Sequence, residues 1–242
     1  MIPKIIHYCW FGGNPLPNSA KKCIESWKKY CPDFIIMEHN EDNYDISKYP
    51  YMKEAYDAKK WAFVSDVARL DVLYHYGGIY LDIDVELLRP IDHMLTGAGF
   101  MGFEDMKQVA SGLGMASEKN SRIVELLLSD YDGLHFIDEN GDMDLTPCPV
   151  RNTQKLLEIG LVPNGLFQKI DGFTFYPRTV LSPMEYTSGR LKFKTKDTVS
   201  IHHYAASWQS ESFHRDKQIN YIFGTRIGGV INKLRNLHRK GG

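Results

Sequence analysis

The chain has 242 residues, 43% of them hydrophobic and 24% charged, with a formal net charge of −1. This composition is typical of a globular protein and excludes a disordered chain. The near-zero net charge gives no electrostatic basis for binding nucleic acid, and no run of about 18 apolar residues predicts a membrane-spanning helix. The four cysteines lack the spacing of a metal site, so we expect buried free thiols.

The first half of the chain alternates strand and helix patterns. Lys4–Trp10 and Phe34–Met37 are apolar runs typical of buried strands, and Pro17–Tyr30 between them has a helical pattern. Apolar residues at helical spacing then predict helices over Met52–Lys60 and Ala62–Tyr76. This alternation predicts an α/β fold in which helices cover a sheet and ligands lie at the carboxyl ends of strands.

The second half is less regular. Its predicted elements are a strand at Phe100–Phe103, a helix at Asn120–Tyr131, a long loop at Asp132–Pro149, a helix at Arg151–Ile159, and strands at Phe173–Tyr176 and Val199–His203. Residues 216–242 carry an apolar stripe with basic residues, which predicts a basic amphipathic helix or tail. Such a helix either lies on an anionic membrane or packs against its own domain.

The most informative segment is Asp71–Val85, in which a helix runs into Gly77-Gly78 and a short apolar strand follows. Side chains alternate along a strand, so Tyr80, Asp82 and Asp84 are expected on one face. Two neighbouring carboxylates repel each other unless a cation lies between them, and hard divalent ions prefer oxygen ligands. A bare D-x-D also occurs at solvated strand ends, so context has to decide between the two interpretations.

Two further segments supply candidate binding residues. Asp66 and Arg69 share one face of a helix, where they form either an intrahelical ion pair or a site for a sugar hydroxyl and a phosphate. Trp10 is either a core residue or a stacking platform for a planar base. Gly12-Gly13 beside it would let a ligand approach the backbone closely.

A third segment, Ile201–Trp208, contains adjacent histidines. On a strand His202 and His203 point to opposite faces, so at most one of them is a metal ligand. The other interpretation is an ordinary surface or core histidine. Ser207 and Trp208 would lie near the same pocket.

Together these segments resemble glycosyltransferase family 32, the DxD sugar transferases. Ile2–Gly13 is similar to the opening of that group, Ser65–Asp84 to its D-x-D block, and His202–Trp208 to its C-terminal motif. The group includes bacterial capsular-polysaccharide transferases and yeast mannosyltransferases, and it is distantly similar to the glucosylating domain of large clostridial toxins. The resemblance implies a GT-A fold over residues 1–215, with a single mixed central sheet flanked by helices.

The resemblance also implies an activity. The protein would be a metal-dependent, retaining glycosyltransferase that uses Mn²⁺ or Mg²⁺ and a nucleotide-diphosphate donor, a UDP- or GDP-sugar. Its acceptor would be a saccharide or lipid-linked saccharide in surface polysaccharide synthesis. Independently of the resemblance, the N-terminus lacks a signal-peptide pattern and no apolar run is long enough to span a membrane, so we expect the cytoplasm or, peripherally, the inner face of the plasma membrane. The alternative is a non-catalytic, metal-dependent carbohydrate-binding module or subunit.

Donor-binding roles follow from the same resemblance, position by position. Trp10 would stack on the nucleobase, and Asp66 would hold donor hydroxyls. Arg69 would lie near the diphosphate or the donor sugar, and Tyr80 would line the donor site. The acceptor side is predicted to include residues 103–114.

The metal site follows in the same way. Asp84 would ligate the metal directly, and Asp82 would contact the ribose and the region around the metal. His202 would be the third ligand, with His203 as the alternative. Ser207 and Trp208 would close over the diphosphate. With Arg69, the two aspartates would form the catalytic group, and the acceptor hydroxyl would attack from the front face of the sugar.

Overall fold

The computed structural model describes residues 1–205 and 211–240. Within these residues the strands, numbered β1 to β10, are Ile5–Cys9, Ile35–His39, Gly78–Tyr80, Val85–Leu87, Gly99–Phe103, Val109–Ala110, Met115–Ser117, Gln168–Ile170, Phe173–Tyr176 and Ser200–His202. The helices of the same residues, α1 to α7, are Asn18–Tyr30, Pro50–Asp57, Trp61–Tyr76, Arg122–Leu128, Cys148–Leu157, Arg178–Leu181 and Glu211–Lys240. The predicted alternation in the first half is confirmed.

The central sheet has the strand order β2-β1-β3-β7-β5-β9-β8, with β6 beside β5. β1 pairs in parallel with β2 and β3, β5 pairs in parallel with β9, and β7 is antiparallel to both β3 and β5. Consequently β1, β2, β3, β5 and β9 run in one direction and end at the same edge. The predicted α/β class, a single mixed central sheet flanked by helices, is confirmed.

Helices cover both faces of this sheet because each carries an apolar stripe. On α3, Val67 and Leu70 are fully buried and join one apolar cluster with β3, β5 and β9. On α1, Trp27 is fully buried in a second cluster with Ile6 and Ile79. Its indole N–H donates to the Val85 carbonyl over 2.7 Å, which ties α1 to β4.

The strand that contains the D-x-D sequence ends earlier than predicted. β3 stops at Tyr80, and a turn closed by a 2.9 Å hydrogen bond from Val85 N to the Asp82 carbonyl precedes β4. β4 leaves the central sheet to pair with β10, so the chain has to change direction between the two strands. The expected strict alternation therefore fails at Ile83, which is half-buried and lines a pocket.

The C-terminal helix α7 is not continuous. At Gly224 the backbone has φ 77° and ψ 158°, which divides α7 into two helical segments. Arg190 donates hydrogen bonds to the carbonyls of Tyr221 and Ile222, just before this break. The predicted domain boundary at residue 215 stays a prediction. Among the described residues, no helix combines the length and apolar character needed to cross a membrane.

A buried histidine pair supports the turn that leads into β3. His7 Nε2 lies 3.0 Å from the Gly77 carbonyl, which can only accept, so this nitrogen carries the proton. His7 Nδ1 must then accept from His39 Nε2, 3.0 Å away. Gly78 is required here, because φ is +105° and a Cβ would come within 3.0 Å of His7 Nε2.

This pair predicts a loss of stability in mild acid. Burial lowers the pKa of both His7 and His39 to about 4, so the unfolded chain binds more protons than the folded one between about pH 6.5 and pH 4. The free energy of unfolding should therefore decrease as the pH is lowered through this window, by up to about 1.4 kcal/mol per pH unit for each histidine. Urea denaturation at pH 7.5, 6.0 and 5.0 measures the slope.

The slope should be smaller in His39→Gln and unchanged in His93→Gln, because His93 is exposed. A wild-type unfolding free energy that stays constant between pH 6.5 and 5 would contradict the assignment.

Candidate active site

One pocket of about 860 Å³ lies at the edge of the sheet where the parallel strands end. It brings together all the predicted site residues that the structure describes: Trp10, Asp66, Arg69, Tyr80, Asp82, Asp84 and His202. Trp10 follows β1, Asp82 follows β3, and His202 ends β10. Ser207 and Trp208 lie outside the described residues. The convergence follows from the topology, since the carboxyl ends of parallel strands meet at one edge.

Asp82, Asp84 and His202 form a cluster that can hold a metal ion. Each offers one ligand atom, and these atoms lie within 4.8 Å of one another. His202 Nε2 is 3.0 Å from Asp84 Oδ1 and 3.8 Å from Asp82 Oδ2. Two carboxylates and an imidazole form a donor set that suits Mn²⁺ or Mg²⁺, with the nitrogen better suited to a transition metal. The residues therefore fit a divalent ion.

The electrostatics of the cluster favour the charged carboxylate. Burial opposes ionisation of Asp84, but His202 outweighs it and lowers the pKa of Asp84 to about 2. Burial likewise opposes protonation of His202, but the charge of Asp84 raises its pKa. The amide of Ala205 donates to Asp84 Oδ2 over 2.8 Å and fixes the carboxylate in place. Asp84 is thus a preorganised anion in a half-buried cluster.

The two histidines of the C-terminal motif have different surroundings. His202 faces Asp84, whereas the His203 imidazole lies 2.9 Å from Glu86 and is 40% exposed. The alternation expected along a strand therefore separates them, and His202 is the one beside the carboxylates. The half-buried Lys217 of α7 donates a 2.7 Å hydrogen bond to the Tyr204 carbonyl, just after the end of β10.

Arg69 holds the acidic residues together. Its Nη2 lies 2.9 Å from Asp66 Oδ1 and 3.2 Å from Asp82 Oδ1, so the guanidinium joins α3 to the D-x-D turn. Nε donates to the Ser65 carbonyl, and Nη1 to Ser111 Oγ. The guanidinium nitrogens are directed at protein acceptors, and Arg69 is only 4% exposed. The intrahelical ion pair between Asp66 and Arg69, one of the two interpretations of the sequence, is therefore present, and Asp82 shares the same guanidinium.

Two neighbours complete the support of Asp82. The Tyr80 hydroxyl donates to Asp82 Oδ1 over 2.9 Å, and its ring lies 4.9 Å from the Arg69 guanidinium carbon. Gly112 is the second neighbour, because a Cβ there would overlap Asp82 Oδ2 and approach Arg69 Nη1 to 2.8 Å.

Asp66 is subject to two opposing effects. Burial raises its pKa and the charge of Arg69 lowers it, with the result that the pKa of Asp66 is raised to about 6.

Trp10 lines the pocket, but the glycines after it serve another purpose than expected. At Gly12, φ is +97° and a Cβ would come within 2.8 Å of the Trp61 indole, so the close neighbour is a side chain. The Gly12 amide also donates to Glu41 over 2.6 Å. At Gly13 the space is open. The Trp10 indole N–H donates to the Asn14 carbonyl.

Several pocket residues were not singled out from the sequence. Cys148, at the start of α5, lies 3.6 Å from Arg69 Nη1, within the segment predicted only as a long loop. Glu104 follows β5, inside the segment predicted for the acceptor side, and Arg178 follows β9. For Glu104 and Arg178, the usable signal was their position just after strands that end at the site edge. The four cysteines are buried and free, as predicted.

Comparison with known proteins supports the family assignment of the segment that contains the D-x-D sequence. Residues 17–101, about a third of the chain, match the family model described as "Glycosyltransferase sugar-binding region containing DXD motif". This match confirms the predicted resemblance to the DxD sugar transferases.

Two yeast relatives illustrate the similarity. Inositol phosphoceramide mannosyltransferase 1 of Schizosaccharomyces pombe is 32% identical over 116 residues, which covers 41% of this chain and 33% of that protein. Mannosyl phosphorylinositol ceramide synthase SUR1 of Saccharomyces cerevisiae is 30% identical over 105 residues, covering 42% and 27%. The chain thus spans about a third or less of the length of the curated relatives it matches.

Two solved structures are also similar. PaToxG Glycosyltransferase aligns with a TM-score of 0.47 and 21% identity over 65% of this chain and 69% of that chain. A glycosyltransferase involved in the glycosylation of the major capsid of PBCV-1 aligns with a TM-score of 0.46 and 13% identity, over 84% and 95%.

Proposed function

Residues 17–101 carry the DXD-motif sugar-binding region of glycosyltransferases, and from this premise we propose that the protein is a metal-dependent, retaining hexosyltransferase. Its donor is a UDP- or GDP-sugar, and its cofactor is Mn²⁺ or Mg²⁺. The observation that carries the proposal is the cluster of Asp82, Asp84 and His202 inside a pocket large enough for a nucleotide sugar.

Glycosyl transfer from such a donor requires the site to stabilise the departing diphosphate. The bond between the anomeric carbon and the phosphate oxygen breaks, a bond to the acceptor oxygen forms, and the acceptor proton passes to the diphosphate. A bound divalent ion supplies positive charge at the leaving group. Arg69 keeps Asp82 in place, and the Ala205 amide does the same for Asp84. Such preorganisation avoids reorganisation as charge develops.

Retention of configuration is proposed to arise from front-face attack by the acceptor hydroxyl. Among the described pocket carboxylates, Asp66 and Asp82 are paired with Arg69, and Asp84 is paired with His202. These ion pairs make the three carboxylates poor nucleophiles, which favours direct transfer over a covalent intermediate formed on any of the three.

The acceptor is proposed to be a lipid-linked or phospholipid-like saccharide. The support comes from the yeast relatives, whose names describe mannose transfer to inositol phosphoceramide. The role in surface polysaccharide synthesis stays a prediction.

Acceptor-free hydrolysis tests the proposal. A panel of UDP- and GDP-sugars is incubated with the protein and Mn²⁺, and release of the nucleoside diphosphate is followed. We expect slow, Mn²⁺-dependent release from one donor, and loss of release with chelator. A carbohydrate-binding module would bind a donor or saccharide without any release, and that result would refute the enzymatic proposal.

A peripheral membrane contact through α7 is part of the proposal. Tyr221 and Ile222 of α7 are 58% and 65% exposed, and the helix sequence is rich in basic residues. We expect Ile222→Glu to reduce flotation with anionic vesicles severalfold, since a buried charge opposes insertion. Ile35→Glu is the matched control, because Ile35 is 61% exposed on β2. Equal flotation of both variants and wild type would remove α7 as the contact.

A further inference from the structure

In the described part of the chain two arginines line the pocket, and Arg178 differs from Arg69 in having no ion-paired carboxylate there. Arg69 is neutralised by Asp66 and Asp82. Among the described residues, no acidic side chain lies within the 4 Å ion-pair distance of Arg178. Its Nη2 donates to the Met184 carbonyl, and its Nε is buried without a hydrogen-bond partner in the described part of the chain. A half-buried cation in a pocket without a counter-ion suits an anionic ligand.

The nearby acidic residues do not supply the missing counter-ion. Arg178 helps to lower the pKa of Glu185, but Glu185 lies outside ion-pair distance of it and is engaged by Lys192, 2.7 Å away, and by the Ser188 hydroxyl. The charge of Arg178 favours the ionised form of Glu104, but burial has the larger effect and raises the pKa of Glu104. The guanidinium carbon lies 3.9 Å from the centroid of the Phe193 ring, so the side chain is held in place by stacking. Arg178 is therefore a fixed cation with free donor capacity.

The strand register places Arg178 on the far side of the pocket from Trp10. β5 and β9 pair Gly102 with Tyr176, so Glu104 and Arg178 follow two residues later at the same edge. β9 lies three strands beyond β3 in the sheet, which is about 14 Å at the usual spacing. Asp82 of the metal cluster follows β3, which lies between β1 and β9 in the sheet. A ligand group at Arg178 thus belongs to the half of the pocket opposite the proposed nucleobase site.

We propose that Arg178 forms an anion subsite on the acceptor side, where it binds a phosphate group carried by the acceptor, next to Glu104. This inference rests on the proposed function, because "acceptor" has a meaning only for a transferase. The planar guanidinium suits two phosphate oxygens, and a fixed cation favours a phosphate-bearing saccharide over a neutral one. The competing source of the same anion is the diphosphate of the donor.

Calorimetry separates the two sources. The protein, loaded with Mn²⁺ and nucleoside diphosphate, is titrated with myo-inositol 1-phosphate and with myo-inositol. We expect the phosphate ester to bind roughly ten- to 100-fold more tightly than the neutral polyol. Arg178→Gln should remove this difference, and Arg178→Lys should keep part of it. Lys107→Gln, which removes an exposed cation from the loop between β5 and β6, should keep all of it.

A second titration, with the nucleoside diphosphate and Mn²⁺, should give the same affinity for wild type and Arg178→Gln. If Arg178→Gln instead weakens nucleotide binding, the anion belongs to the donor and the acceptor placement is wrong. If wild type binds myo-inositol 1-phosphate and myo-inositol equally, the proposed anion subsite is wrong. Neither result bears on donor hydrolysis, so failure of the subsite is distinguishable from failure of the proposed transferase. Melting temperatures confirm that each variant is folded.

Discussion

Asp84→Asn is expected to reduce Mn²⁺-dependent donor turnover by at least roughly 1,000-fold. The asparagine keeps the shape of the side chain and still accepts from the Ala205 amide, but it loses the negative charge that a divalent ion needs. The melting temperature should stay within a few degrees of wild type. Turnover is measured as release of nucleoside diphosphate at saturating Mn²⁺.

The matched control is Glu86→Gln on β4. Glu86 is also an acidic partner of a histidine, 2.9 Å from His203, but its side chain is 40% exposed and lies outside the metal cluster. Its turnover should stay within about threefold of wild type, since exposed ion pairs contribute little. A folded Asp84→Asn protein with wild-type, metal-dependent turnover would contradict the assignment.

Arg69→Met is expected to destabilise the protein by roughly 3–5 kcal/mol and to abolish turnover. The substitution leaves Asp66 and Asp82 without their shared cation, and Asp66 is 8% exposed. Urea denaturation measures the loss of stability. Adding Asp66→Asn should recover part of it, because one unpaired buried charge disappears, but should not restore turnover.

Lys53→Met provides the comparison for an exposed ion pair. Lys53 and Asp57 are 2.6 Å apart, and both are about half exposed, so we expect a change below roughly 0.5 kcal/mol. An Arg69→Met protein that loses less than about 1 kcal/mol would show that the bridge between α3 and the D-x-D turn is not a structural requirement.

The sequence predicted the regular elements that carry long periodic patterns. Helix α3 and the strand Ile5–Cys9 were predicted within one residue at each end, because each has a continuous apolar pattern. The short strand Met115–Ser117 was not predicted, since three residues carry too little periodicity to separate a strand from a loop. Its pairing with β3 and β5 is a long-range property.

The site was predictable to the extent that it lies in contiguous motifs. Asp82 and Asp84 share one short segment, and Tyr80 was correctly expected to lie with Asp82. The turn at Ile83 was missed because β4 is directed by pairing with a strand more than 100 residues away. Arg178 and Cys148 belong to no recognised motif, so only the folded structure shows that they line the pocket.

The central claim is that the two aspartates and His202 hold a divalent ion that serves the diphosphate of a sugar donor. Its most direct test is a crystal of the protein soaked with Mn²⁺ and the nucleotide sugar that it hydrolyses, with the ion located by anomalous scattering. We predict a manganese peak within bonding distance of Asp84 and His202 and in contact with the diphosphate. A bound nucleotide with manganese at a different place, or with none beside these residues, would contradict the account.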